Sequence, residues 1–297
     1  MKSKILIGIS QNVRFAVADT TYISKLAVDN SEYGNVIFCT SEIALLNIVS
    51  LLSSNIKSDS GEISLVLKGD GLLGNAHARA KSDGRIIATN TIKKEDLEKL
   101  NKCETIEEFK NVYTIGCGKL TFETDLGLKT PYYTEIDITQ DKTIEDAISE
   151  YYAKSEQLDT IIKTGIKYGD SNDILKSGAI FIQKLPNASD EIFLKMKKKI
   201  EMIHGIQELL YHDFSLEKIV KLIFEDVSSD EGNLIEDYKI LETRDLTFKC
   251  DCSREYCLDI LKRVCSKEEI QSIIQENGYI ETVCGFCKAA YRFKEVD

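Results

Sequence analysis

The chain contains no tryptophan, only two prolines and three histidines in 297 residues. So little proline, with no stretch dominated by a few residue types, argues against low-complexity linkers. No apolar run approaches the ~18 residues that a membrane-spanning helix needs. The apolar run at residues 5–9, after Lys2 and Lys4, is too short for a signal-peptide core and leads into Gln11, Asn12 and Arg14. Positive charge is short as well: 38 basic against 49 acidic side chains give a formal net charge of −11. That balance argues against general binding to phosphate backbones, which needs a positive footprint. The expectation is a cytoplasmic protein with no membrane partner and no nucleic-acid partner.

What is present is ordinary globular composition, 43% hydrophobic and 29% charged, enough for one large domain and a smaller one. The exception is cysteine. Nine are present, an odd number that cannot all pair within the chain, and cytosolic thiols stay reduced. Cys39, Cys103 and Cys117 are scattered, and their roles stay open. Cys250, Cys252, Cys257, Cys265, Cys284 and Cys287 crowd the C-terminal part.

Up to Pro186 the pattern predicts a mixed α/β body. Strands are expected at 5–9, at 62–68, where Ile63, Leu65 and Leu67 alternate, and at 76–80 and 85–89 as a hairpin around Ser82, Asp83 and Gly84. Further strands are expected at 111–115, 119–123, 130–137 and 179–185, the last stopped by Pro186. Helices are expected at 41–52, apolar on most faces and so buried, after a capping box at Thr105 and Glu108, and from Thr143 to about residue 157. Beyond Pro186 the texture turns charged, and residues 187 to about 245 predict helices. Ile192, Met196, Ile200 and Ile203, then Ile219, Leu222 and Ile223 after Ser215, fall at helical spacing, and a polar loop is expected at 227–233. Such stripes must be buried, most simply on the body. The fold class is therefore α+β: an α/β body at 1–186, a helical connector at 187–246 and a small cysteine-bearing module at 247–297.

The module carries Cys250-Asp-Cys252, then 31 residues, then Cys284-Gly-Phe-Cys287. In an extended segment, residues two apart point to one side, so Cys250 and Cys252 can share one ion. The second pair allows a turn with both sulfurs inward. Four thiolates favour zinc over hard cations and leave no open position for a hydrolytic water. Between the pairs, Ser253 caps a helix with Leu258, Ile260 and Leu261. Ser266 and Glu269 form a capping box for another helix, with Ile270, Ile273 and Ile274, which Asn277-Gly278 ends. A module this small needs a staple, and one zinc ion per chain is expected to provide it. Cys257, one turn into the first helix, is a competing ligand. The paired spacing favours the other four, leaving Cys257 and Cys265 as small core residues.

The pattern resembles the redox-regulated 33-kDa heat-shock holdases of bacteria. The likeness rests on Phe248-Lys-Cys250-Asp-Cys252-Ser-Arg-Glu255 and on Val283-Cys284-Gly-Phe-Cys287 followed by Tyr291 and Phe293. It extends to Tyr151-Tyr152-Ala-Lys-Ser-Glu-Gln157 and Gly178-Ala-Ile-Phe-Ile-Gln-Lys-Leu-Pro186 in the body. The resemblance implies a non-enzymatic chaperone, zinc-bound and inactive when reduced. On oxidation the implied disulfides are Cys250–Cys252 and Cys284–Cys287, with zinc release and unfolding of the module and the redox-sensitive connector. The oxidised family members dimerise and hold unfolding client proteins without ATP. This chain departs from the family in having Gly84-Arg85-Ile86-Ile87 where an Arg-Gly-aromatic run is expected, and in its extra Cys257 and Cys265.

Other motifs have plainer readings. Gly69-Asp-Gly71-Leu-Leu-Gly74 has dinucleotide-fingerprint spacing, but a strand-like pattern follows where a helix is required, so a turn is expected. Gly116-Cys-Gly118-Lys119 lacks the upstream glycine and the Ser or Thr of a phosphate loop. Too little chain follows Cys287 for a thioredoxin-like fold. His77, His204 and His212 have no metal spacing. Lys195, Lys197, Lys198 and Lys199 predict a solvated helix face, with an RNA contact as the alternative. Two further functions stand beside the holdase: a constitutive zinc-stabilised RNA- or protein-binding module, and an enzyme in the body.

Overall fold

Period-two alternation of apolar side chains organises the larger part of the chain. The computed structural model describes residues 2–102, 115–125, 131–170, 173–225, 227 and 237–296. The chain divides into two units, Met1–Phe248 and Lys249–Asp297.

The first unit is built on β1 (Ser3–Ser10), β2 (Val13–Asp19), α1 (Thr21–Asn30), α2 (Thr40–Leu52), β3 (Glu62–Gly69), β4 (Asn75–Lys81), β5 (Arg85–Asn90) and α3 (Lys94–Leu100). It continues through β6 (Gly118–Asp125), β7 (Tyr132–Ile138), α4 (Ile144–Ser155), β8 (Thr160–Tyr168) and β9 (Ile174–Lys184). The helices α5 (Asp190–Met202), α6 (Ile206–Tyr211) and α7 (Leu216–Phe224) follow, and β10 (Tyr238–Phe248) closes the unit. The ten strands form one sheet in the order β7-β6-β3-β4-β5-β10-β1-β2-β9-β8. All described pairings are antiparallel except the short β10–β5 contact, where Thr247 and Phe248 run parallel to Arg85 and Ile86.

The central strands are buried on both faces. Ile5, Ala16, Ala18, Ala179 and Phe181 point into one core, with α2 and α4. Their neighbours Leu6, Phe15, Val17, Ile180 and Ile182 point into the other, covered by α5, α6 and α7. The apolar stripe of Ile192, Met196, Ile200, Ile219 and Ile223 lies in that second core, which satisfies the need of those helices to bury it. Helix α2 is apolar almost all round and sits inside the first core. Thr143 caps α4 in a reciprocal capping box with Asp146.

Several elements differ from the sequence expectation. Residues 238–248 are not part of a helical connector. They form β10, paired with β1 from Ser3↔Leu246 to Ser10↔Tyr238. The strand is charged and mostly exposed, with Leu246 its fully buried residue, so its place is set by backbone pairing rather than by an apolar pattern. Strands β2 and β8 and the helices α1 and α3 were also not expected. The glycine run at 69–74 is a turn between β3 and β4, packed against the second glycine pair through Gly71 N–H to the Ile115 carbonyl and Cys117 N–H to Asp70 Oδ1. Cys39 is buried before α2, where burial first and then Glu42 push its thiol up to about 12. The expected helix after Thr105, most of the expected strand at 111–115, most of the loop at 227–233, and Cys103 lie outside the described residues.

Two consequences can be measured in this unit. Gly84 closes the β4–β5 hairpin at φ +86°, and a Cβ there would sit 2.4 Å from the Asp245 carbonyl. Gly84→Ala is therefore expected to cost about 1–3 kcal/mol, as a lower urea midpoint. His77 bonds Ser64 Oγ at 2.7 Å, and burial, helped by Arg79, lowers its pKa to about 4. An unfolded chain takes up that proton near pH 6.5, so between the two values the unfolded state binds more protons. Stability should fall as pH drops, by about 2 kcal/mol from this group between pH 7 and 5. His77→Gln should remove that part of the pH dependence in urea unfolding. Parallel curves for the two proteins would refute the assignment.

Candidate metal centre

The second unit comprises α8 (Arg254–Val264), α9 (Lys267–Asn277), β11 (Ile280–Val283) and β12 (Ala290–Phe293). Ser253 caps α8 by accepting from Tyr256 N–H, and Ser266 with Glu269 forms the expected capping box of α9. Gly278 ends α9 at φ +76°. The hairpin β11–β12, paired from Ile280↔Phe293 to Val283↔Ala290, was not expected in a module read as helical. It is this hairpin that presents the second cysteine pair. Cys284 leaves β11, a turn follows through Cys287, and Cys284 N–H bonds the Ala289 carbonyl at 2.9 Å. The first pair lies in the stretch without regular secondary structure just before α8.

The Sγ atoms of Cys250, Cys252, Cys284 and Cys287 all lie within 4.8 Å of one another, and all four residues are half-buried. Four sulfurs about 2.3 Å from one tetrahedral ion stand about 3.8 Å apart. Cys250 Sγ and Cys284 Sγ are 3.7 Å apart, and Cys252 Sγ and Cys287 Sγ are 3.2 Å apart. The spacing and the donor chemistry therefore suit a single metal ion. Burial pushes the Cys250 thiol well up. At Cys284 burial acts the same way and is the largest single effect, but the backbone N–H groups of Cys287 and Phe286 together with the Cys250 and Cys287 thiols outweigh it and hold the thiol below its ordinary range. Amides aimed at a sulfur favour the thiolate, which is the form that binds metal and the form that oxidants attack.

Beneath the thiols lies a small core of Cys257, Leu261, Ile270, Ile280 and Phe293, with Cys252, Cys265 and Tyr291 packed against it. Arg254 lies over the Phe293 ring, 4.3 Å from its centroid. Cys257 is thus a core residue, and neither it nor Cys265 joins the thiol cluster. The reading of the residues by spacing missed Tyr291, whose hydroxyl is 3.3 Å from Cys252 Sγ and donates to the Cys252 carbonyl. Its position four residues after Cys287, on the strand leaving the turn, was the available signal.

Comparison with known proteins agrees with this architecture. The family model described as Hsp33 protein matches residues 6–294. The chain is 31% identical over 248 residues to a 33 kDa chaperonin of Caldanaerobacter subterraneus subsp. tengcongensis, covering 83% of this chain and 79% of that one. It is 29% identical over 296 residues to the 33 kDa chaperonin of Lactococcus lactis subsp. cremoris, covering 98% and 96%. The crystal structure of the 33 kDa chaperonin (heat shock protein 33 homolog) of Thermotoga maritima superposes with a TM-score of 0.79 at 21% identity, covering 100% of this chain and 96% of that one, a likeness of fold.

Proposed function

Because the chain belongs to the Hsp33 chaperone family, we propose that it is a redox-regulated, ATP-independent holdase switched by Cys250, Cys252, Cys284 and Cys287. The observation that carries this reading is the convergence of four thiols in a unit whose own buried core is five side chains. These four residues hold one zinc ion in the reduced state. Bound there, zinc gathers the thiolates and contributes an apparent ~10–16 kcal/mol to the fold of the module.

Oxidation acts on the ligands themselves. Two thiolates give two electrons to an oxidant such as hypochlorous acid, which with a proton becomes chloride and water, and a disulfide forms. In this reading the pairs are Cys250–Cys252 and Cys284–Cys287. The sulfurs 3.7 Å and 3.2 Å apart belong to the crossed pairs, Cys250–Cys284 and Cys252–Cys287. Crossed bridges would close loops of 34 and 35 residues, each stabilising the folded module by about 4 kcal/mol. Sequence-local pairs close almost no chain and leave the module free to open, so only they fit a switch that unfolds. Peptide mapping of the oxidised protein should find the local pairs; crossed pairs would contradict the proposal.

The surface to be released lies under α5, α6 and α7, within the proposed redox-sensitive connector at residues 187–246, whose last residues stay in the sheet as β10. Helices α5, α6 and α7 cover Leu6, Phe15, Val17, Ile180 and Ile182. Detaching them would expose a contiguous apolar sheet face, the kind of surface that captures unfolding proteins. The oxidised protein then holds client proteins in the cytoplasm as a homodimer, without chemical turnover. Among the described residues, no helix is long and apolar enough to cross a membrane.

The test is a paired assay on zinc-loaded, reduced protein. Hypochlorous acid should release zinc and start suppression of client aggregation together, and thiol reductant with zinc should restore the fold. Zinc release with no client held would leave the metal merely structural and favour a constitutive binding module.

A further inference from the structure

The lysine run at 195–199 is exposed at Lys197 and Lys198 and half-buried at Lys195 and Lys199. Lys195, Lys198 and Lys199 rim a groove of about 880 Å³ formed by α5, α6 and α7, whose apolar lining includes Met202, Ile203, Leu209 and Leu222. That volume lies within the ~300–1,000 Å³ of small-molecule sites, which are mostly apolar with a few placed polar groups. We propose that this groove binds a long-chain carboxylate, its alkyl chain on Met202, Ile203, Leu209 and Leu222 and its head group against Lys195, Lys198 and Lys199.

Charge argues for the anionic head. In a chain of net charge −11 this rim gathers three lysines. Glu208 also lines the groove, but Lys167 holds it at 2.8 Å, so its charge is answered. Lys195 is paired with Glu191 at 2.6 Å, and Lys199 donates to the Glu225 carbonyl. Lys198 makes no ion pair among the described residues. The apolar part argues for the chain: Met202 is 77% exposed, a large thioether left open to solvent beside the ammonium groups. A nucleic-acid strand would need a positive track with stacking rings, whereas here an apolar hollow lies among the lysines.

The experiment is calorimetric titration of the full-length reduced protein with laurate and dodecyltrimethylammonium below their micellar concentrations and with dodecanol below its solubility limit. Laurate should bind at least about tenfold more tightly than either of the others, in keeping with several weak charge contacts. Decanoate should bind more weakly than laurate, by up to about fourfold per methylene removed. Lys195→Glu/Lys198→Glu should weaken laurate about tenfold and leave dodecanol within about twofold. Met202→Asp, at an exposed position that does not threaten the fold, should weaken both. The proposal is overturned if none of the three binds, if dodecanol or the cation matches laurate, if affinity ignores chain length, or if the double lysine variant binds laurate unchanged.

Discussion

Removing metal from the reduced protein is expected to unfold residues 249–297 and leave the body at residues 1–186 folded. The second unit buries Cys257, Leu261, Ile270, Ile280 and Phe293 and little else. A core of that size supplies at most about 3–5 kcal/mol, against an apparent ~10–16 kcal/mol from a structural zinc site. The larger unit has two extensive cores on either face of its sheet and no part in the thiol cluster. Hydrogen exchange after chelation should show amides of Leu261, Ile270 and Ile280 losing protection while those of Val17 and Ile180 keep it. Cys284→Ser should reproduce the effect without a chelator, because three thiolates no longer close the site. Retained protection in α8 and α9 without metal would show that the module folds on its own packing, and a thiol switch would then have nothing to release.

Phe224→Ala is expected to turn on client holding without any oxidant. Phe224 is 2% exposed, and its ring centroid lies 5.0 Å from that of Phe15 on β2 and 4.7 Å from that of Tyr238 on β10. It pins α7 to the sheet together with Ile219, Val220 and Ile223. Truncating such a side chain costs about 3–5 kcal/mol. If that loss falls on the docked helices, it raises the detached population by about a hundredfold or more. Light scattering of an unfolding client with the zinc-loaded, reduced variant measures this directly. Leu65→Ala is the control, because Leu65 lies in the core on the opposite face and should destabilise without detaching α5 to α7. Equal holding by both variants would mean general unfolding rather than release of a specific face, and no holding by Phe224→Ala would sink the connector's proposed role.

The thiol cluster was the most legible part of the chain, and for a chemical reason. A four-thiolate site draws its ligands as pairs close in sequence, so Cys250 with Cys252 and Cys284 with Cys287 stand out without coordinates. The caps of α4, α8 and α9 were legible too, because capping is settled within four residues. Strand β2 was hidden because it is buried on both faces: Phe15 and Val17 serve one core while Ala16 and Ala18 serve the other, so the polar half of an alternating pattern is missing. Strand β10 was hidden for the opposite reason, since little of it is buried and its charged residues carry no periodic signal.

The sequence by itself determined the local chemistry: which cysteines lie close in sequence, where helices are capped, which stripes are apolar and must find cover, and to which family the whole belongs. The tertiary structure alone decided where that cover lies. It assigned α5, α6 and α7 to a second core on the far face of the sheet, placed Tyr291 against Cys252, and brought residues 238–248 beside β1. Backbone pairing across more than 200 residues of intervening chain leaves no mark on the side chains of an exposed strand. A hydrophobic stripe likewise states that it must be buried without stating against what.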